Sequence, residues 1–275
     1  MQSSFHGLLC RDLDRVQRPY QRRLDLWPRG SLKTHIITVG KSIQYYLQDN
    51  NVRVLLVAAN LRNATKNLSF IKRHFENNQI LHWLFPECVP DLKNDKWAEM
   101  EICLPRPKNV LEPTFKAFGV GGHITGWHFD VIHKDDIIDE KTERSPEVME
   151  KIIDFHLLSK NLLTSPFTGV DHLVGTPWLA GDVYGYVRRE EKEYEVRCIP
   201  VLYKDVIGEL CSIWPDRFPV DALLRLREKD PYMFACQQMC NPVDESVVAF
   251  HPKWLRYYDF HNEIMDIEIQ ASSVV

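Results

Sequence analysis

The chain has seven cysteines but no C-x-x-C pair. An odd count without such a pair argues against a disulfide framework and for reduced thiols. Cys236 and Cys240 are four apart, a spacing that reads as packing rather than zinc ligation, since no His or further Cys stands near. There is no basic-then-apolar leader, and the longest clear apolar run, Val54 to Ala59, is far too short to cross a bilayer. These absences set the expectation of a soluble intracellular chain with no membrane partner. Internal repeats and low-complexity tracts are also missing. Charge of one sign does not dominate: 34 basic residues stand against 38 acidic ones, for a net charge of −4, so the chain as a whole is no obvious polyanion binder. Locally the balance shifts. Arg11, Arg15, Arg18, Arg22 and Arg23 crowd the first segment, while Asp135 to Glu150 is mostly acidic.

What is present suits one large domain with a small appendage: 275 residues, 44% of them hydrophobic. Residues 1–23 read as a basic helical entry segment. Val52 to Ala59 is a continuous β-branched and apolar run, as a strand covered on both faces requires. Asn63 to Phe75 reads as a helix, capped by Asn63 or Thr65. Glu99 to Leu104, Thr114 to Val120, His128 to Asp136, Val170 to Val174 and Arg197 to Leu202 read as further strands, and Pro146 to Leu163 as a long helix. Strands alternating with helices imply right-handed crossovers and a mainly parallel α/β sheet. From about Tyr203 the texture changes to a smaller helical appendage with a helix near Val220 to Lys229.

One stretch organises the rest. Leu24, Leu26 and Trp27 lead into Pro28-Arg29-Gly30-Ser31-Leu32-Lys33-Thr34, and a helical pattern follows from His35 to Leu47, interrupted by Gly40. Gly40 there suggests close packing on the sheet. A strand, tight loop and helix start binds phosphate because backbone N–H groups and the helix dipole both face the anion. A lysine there reaches β/γ-phosphates and the next hydroxyl can hold Mg²⁺. Yet the glycines of the G-x-x-x-x-G-K-[ST] fingerprint fall at Trp27 and Leu32, so an ordinary turn with a surface lysine stays open. Parallel sheets bind ligands at the carboxyl ends of their strands, and three polar sites fall there: Lys33-Thr34, Asp135-Asp136 and Gly175-Thr176. Nucleotide hydrolysis needs such a phosphate cradle, one carboxylate for Mg²⁺ and a second to orient water.

The chain as a whole resembles the large terminase subunit of tailed bacteriophages, the ATPase that pumps DNA into a procapsid. The resemblance runs through Pro28 to Thr34, Val52 to Asn60, Thr125 to Ile137, Gly175-Thr-Pro-Trp178 with Asp182-Val-Tyr-Gly185, Trp214-Pro-Asp-Arg-Phe218, Phe234 to Pro242 and Trp254 to Tyr258. It implies an α/β, additional-strand P-loop NTPase domain over 1–203 and a linker or lid subdomain over 204–275, with the RNase H-like nuclease domain absent and DNA cleavage not expected. It implies ATP and Mg²⁺ as cofactors. Pro28, Arg29, Gly30, Ser31, Leu32, Lys33 and Thr34 match the family's variant phosphate loop, in which Arg and Lys replace the usual glycine spacing. Asp135 matches the Mg²⁺-holding carboxylate beside Thr34, Asp136 the catalytic one, and Gly175-Thr176 the coupling motif. Tyr20 and Gln21 match the adenine-reading segment, against a plain amphipathic helix. The trans-acting arginine finger has Thr125 at its place, leaving His123 or Lys134 as cationic neighbours. Implied partners are double-stranded DNA, the portal protein, the small terminase subunit and like copies in a homo-oligomeric ring. The implied location is the host cytoplasm, docked on the portal.

Two other readings compete. His128-x-Asp130 with His172 or His251 fits a two-His-one-carboxylate iron site, although it gives Lys33-Thr34 and Gly175-Thr176 no work. A non-catalytic nucleotide- or nucleic-acid-binding module would use the basic first segment and bind DNA with a strong salt dependence.

Overall fold

The computed structural model describes residues 3–15, 21–122, 126–139 and 145–242. Tyr20, His123, Thr125, His251 and the segments Trp254 to Tyr258 and Glu263 to Val275 lie outside them. A helix α1 (Ser3–Arg15) precedes β1 (Gln21–Leu26), then a π-helix (Thr34–Lys41) runs into α2 (Ser42–Gln48). Next come β2 (Val54–Ala58), α3 (Leu61–Asn77), α4 (Gln79–Leu84), β3 (Glu101–Ile102), β4 (Phe115–Gly119), β5 (Val131–Asp135), α5 (Pro146–Ser159), β6 (Val170–Gly175), α6 (Val183–Glu190) and β7 (Glu195–Cys198). A hairpin of β8 (Leu202–Lys204) and β9 (Leu210–Ser212), then α7 (Val220–Lys229) and α8 (Pro231–Gln237), complete the described chain.

The seven-stranded sheet has the order β3-β4-β2-β5-β6-β1-β7, and only β3 runs antiparallel. Thus β6 lies between β1, which feeds the Lys33 loop, and β5, which ends at Asp135. Every residue of β2, β5 and β6 is buried, which explains why these strands read as runs rather than alternations. Alternation instead sorts residues between two cores. Val54, Leu56 and Ala58 join Val39, Tyr46, Leu68, Ile71 and Phe75 beneath α2 and α3. Leu55 and Val57 join Ile132, Leu173, Met149, Ile152 and Val187 beneath α5 and α6. Among the described residues no helix is long and apolar enough to cross a membrane.

Several expectations are corrected. The basic entry segment is not one helix: α1 ends at Arg15 and Arg22 and Arg23 are buried in β1. The cap of α3 is Asn60, whose side chain accepts from Asn63 N at 3.0 Å, rather than Asn63 or Thr65. Gly40 is exposed on the π-helix, not packed on the sheet. The appendage is not purely helical, because the β8–β9 hairpin joins α7 and α8 around Val201, Leu202, Leu223 and Phe234.

The sheet interior also carries ionic groups. On the α5 side, Lys134 Nζ donates to Asp171 Oδ2 at 2.9 Å with both side chains wholly buried, and Tyr194 Oη donates to the same oxygen at 2.6 Å. On the opposite face His172 Nε2 meets Asp25 Oδ2 at 2.6 Å, and Arg197 Nε donates to Asp25 Oδ1 at 2.5 Å. Lys134 is therefore a structural partner of Asp171 rather than a finger neighbour. Burial alone would raise both carboxyls. The Lys134 charge instead holds Asp171 down at about 2, while His172, Arg197 and Arg23 hold Asp25 below the ordinary carboxylate range. In the unfolded chain such groups titrate near ~3.9. Stability from these pairs is present above that pH and lost as pH falls through the folded-state values, because protons then bind the unfolded chain more readily. Urea midpoints are accordingly expected to drop between about pH 4 and pH 2, and Asp171→Asn is expected to flatten that drop.

Candidate functional site

The carboxyl ends of β1, β2 and β5 open into one cleft of about 500 Å³, lined by Arg29, Lys33, Thr34, Ala58, Asn67, Asp135, Asp136 and Arg217 among others. The loop after β1 is built from local bonds. Trp27 N continues the sheet to Gly175 O at 3.2 Å, and Ser31 N closes a turn on Pro28 O at 3.2 Å. Gly30 has φ +84° and Leu32 φ +68°. At Leu32 the backbone takes the left-handed conformation that glycine favours, so the loop keeps the bend although the residue is not Gly. Ile36 N then bonds to Leu32 O at 3.1 Å, an α-type turn that leads into the π-helix. A π-helix is an uncommon choice and concentrates at functional sites.

Lys33, 7% exposed, is the hub. Its Nζ donates to Thr176 Oγ1 at 2.9 Å and pairs with Asp136 Oδ2 at 3.0 Å. Thr176 Oγ1 in turn donates to Trp27 O at 3.2 Å. Asp136 has φ +44° and is tied at both backbone ends: its N bonds to Val174 O, and its O accepts from Ala59 N. Such a conformation costs an aspartate little, yet it concentrates where a side chain must be aimed. Gly175 is required sterically, since an added Cβ would lie 2.1 Å from the Tyr184 hydroxyl.

Asp135 is buried, and its Oδ2 accepts from Asn67 Nδ2 at 3.2 Å. Its Oδ1 is buried and has no hydrogen-bond partner among the described residues. Burial, and then the Asp136 charge, push this carboxyl up to about 7, opposed by Lys33 and the hydroxyls of Thr34 and Thr38. An orphaned carboxylate oxygen beside a second carboxylate and a threonine hydroxyl is a donor set that fits a hard divalent cation.

Other site expectations fare differently. Arg29 lines the cleft, but its guanidinium donates to Gln237 Oε1 of α8 at 3.0 Å. Pro28 and Ser31 shape the turn and are buried. Gln21 opens β1 at the amino end of that strand, away from the cleft, where the entry helix was expected to continue. The iron triad is not assembled among the described residues. Asp130 pairs with Arg53 at 2.9 Å and His172 with Asp25, and no group of three or more His, Cys, Asp or Glu side chains is placed to hold a metal among the described residues. The sequence reading missed Asn67, whose helix looked like a plain crossover, and Arg217, which stood in a quoted motif without a role.

No protein-family profile and no curated protein matches the sequence. Solved structures do. The ATPase domain of the large terminase of Thermus phage P74-26 matches with a TM-score of 0.50 at 14% identity, over 83% of this chain and 91% of that one. The HK97 bacteriophage large terminase gives 0.49 at 12% identity, over 80% of this chain and 46% of that one, so this chain spans less than half of that protein. The mainly parallel sheet, its flanking helices and this similarity together give the chain the fold of a phage large terminase ATPase domain.

Proposed function

We propose that the chain is the motor ATPase of a terminase large subunit, of the additional-strand P-loop type, hydrolysing MgATP to drive double-stranded DNA into a procapsid. The observation that carries this is the meeting of Lys33, Thr176 and Asp136 beside the partnerless oxygen of Asp135. The position of β6 between β1 and β5 supports the additional-strand class. In this reading residues 1–203 form the ATPase domain and 204–275 the linker or lid. Double-stranded DNA, portal, small subunit and ring neighbours are its partners.

The chemistry follows from the ion pairs. Lys33 is held by Asp136 and Thr176. A triphosphate entering the loop attracts that ammonium more strongly than one carboxylate does, because the phosphate oxygens carry more charge. Asp136 then loses its cation, becomes a free acceptor about half exposed to the cleft, and can orient a water for in-line attack. Thr176 exchanges partners in the same event, so loss of the terminal phosphate is relayed to the end of β6. Thr34 and Asp135 would hold Mg²⁺, which neutralises charge on the phosphates when bound. Arg29 adds a bidentate cation once released from Gln237.

The test is Mg²⁺-dependent phosphate release by wild type and Asp136→Asn at several protein concentrations. Asp136→Asn is expected to lower kcat by about 10²-fold or more, since a water-orienting acceptor is lost, with little change in ATP affinity. Wild-type activity is expected to rise more steeply than concentration, because a cation supplied by a neighbouring copy is worth about 10³–10⁵ in rate. Full activity in Asp136→Asn contradicts the assignment.

A further inference from the structure

The second wall of the cleft comes from the lid. The turn Trp214 to Phe218, between β9 and α7, is closed by Arg217 N and Phe218 N bonding to Trp214 O at 3.1 and 2.8 Å. Trp214 packs edge-on against His6 of α1 at 4.6 Å between ring centroids. This turn sits directly on the phosphate loop: a Cβ added to Gly30 would lie 3.4 Å from the Phe218 ring and 3.6 Å from an Arg217 Nη. A Cβ there would make only ordinary van der Waals contact, so it is the left-handed backbone at φ +84° that favours glycine at the loop tip.

The cations of the cleft are not equally engaged. Lys33 pairs with Asp136 and Arg29 bonds to Gln237. The Arg217 guanidinium makes no ion pair or hydrogen bond among the described residues. It lies over the Trp214 and Phe218 rings at 5.3 and 5.9 Å and lines the same cleft as Lys33, Asp135 and Asp136. Aromatic faces hold a guanidinium in place without neutralising it. What results is a positioned positive charge above the loop tip, awaiting an anion.

We propose that Arg217 is a phosphate-contacting cation supplied in cis by the lid, which engages the terminal phosphate of bound nucleotide and so ties the position of the lid to the presence of that phosphate. The proposal rests on the triphosphate reading above. It gives the site a cation from its own chain, distinct from any contributed by a neighbouring copy. Because Phe218 on Gly30 and the backbone bond from Arg29 N to Gln237 O already join lid and loop, loss of the terminal phosphate removes one attachment rather than freeing the lid outright.

Equilibrium binding of MgATP and MgADP to wild type, Arg217→Gln, Arg217→Lys and Lys33→Ala tests it. Arg217→Gln is expected to bind ATP about tenfold to a hundredfold more weakly, as expected for one charge-assisted contact, and ADP within about twofold of wild type. Arg217→Lys is expected to regain part of the ATP affinity but not the bidentate share. Retained ADP binding shows that Arg217→Gln has folded. ATP and ADP affinities both equal to wild type, or both reduced alike, overturn the proposal. If wild type binds ATP, Lys33→Ala does not and Arg217→Gln matches wild type, the lid contact alone falls; if wild type binds neither nucleotide, the function beneath it falls too.

Discussion

Lys33→Ala is expected to lose MgATP hydrolysis by about 10²–10³-fold, with ATP affinity falling as well, because a buried cation aimed at developing charge is among the most costly groups to remove. Three effects act together. In the proposed reading the phosphate oxygens lose their ammonium. Thr176 loses the partner that links β6 to the loop. Asp136 loses its counter-charge, and Asp135, already raised by burial and by Asp136 against the lowering effect of Lys33, rises further and in the proposed reading becomes a poorer cation ligand. The fold is expected to survive, since Asp136 is about half exposed and can be solvated. Lys33→Arg is not expected to rescue, because the larger planar head does not fit a site between Thr176 and Asp136. Phosphate release and ATP binding, measured on protein with an unchanged melting profile, check this.

A comparably large effect, on stability rather than rate, is expected at the Lys134–Asp171 pair. Both side chains are wholly buried, so Lys134→Met leaves a carboxylate inside the sheet with the Tyr194 hydroxyl as its one hydrogen-bond donor among the described residues. Breaking such a pair from one side costs about 3–5 kcal/mol. Lys134→Met combined with Asp171→Leu is expected to recover stability relative to either single change, because replacing both charges by apolar groups removes the stranded ion. Urea midpoints of the three variants measure this, and additive losses would contradict it. The pair joins β5 to β6, the strands that end in Asp135 and Gly175, so it secures the register in which the two halves of the cleft meet.

Much of this architecture was legible in the chain. The apolar run at Val54 to Ala58 is buried on both faces and could only be a central strand. The placement of Lys33, Asp135 and Thr176 at or just beyond the carboxyl ends of β1, β5 and β6 was legible because each closes or follows an apolar run. The buried ionic layer was not legible: Lys134, Asp171 and His172 look like surface residues until their partners, distant in sequence, are known. The β8–β9 hairpin escaped because its strands are three residues long and largely exposed. Leu32 is a further case. A leucine at a glycine place of the G-x-x-x-x-G-K-[ST] fingerprint argues against that motif, while its backbone adopts the left-handed bend that glycine favours, and only coordinates reveal that. Arg217 escaped because the lid's contribution to the cleft depends on how Phe218 seats on Gly30.

The most direct measurement of the central claim is a crystal structure with Mg²⁺ and a non-hydrolysable ATP analogue. The account predicts the β- and γ-phosphates on the loop from Pro28 to Thr34, with Lys33 Nζ turned from Asp136 to a phosphate oxygen and the cation beside Asp135. A nucleotide bound elsewhere, such as the apolar groove along Ile36, Val39 and Gly40, with Lys33 still paired to Asp136, would contradict it.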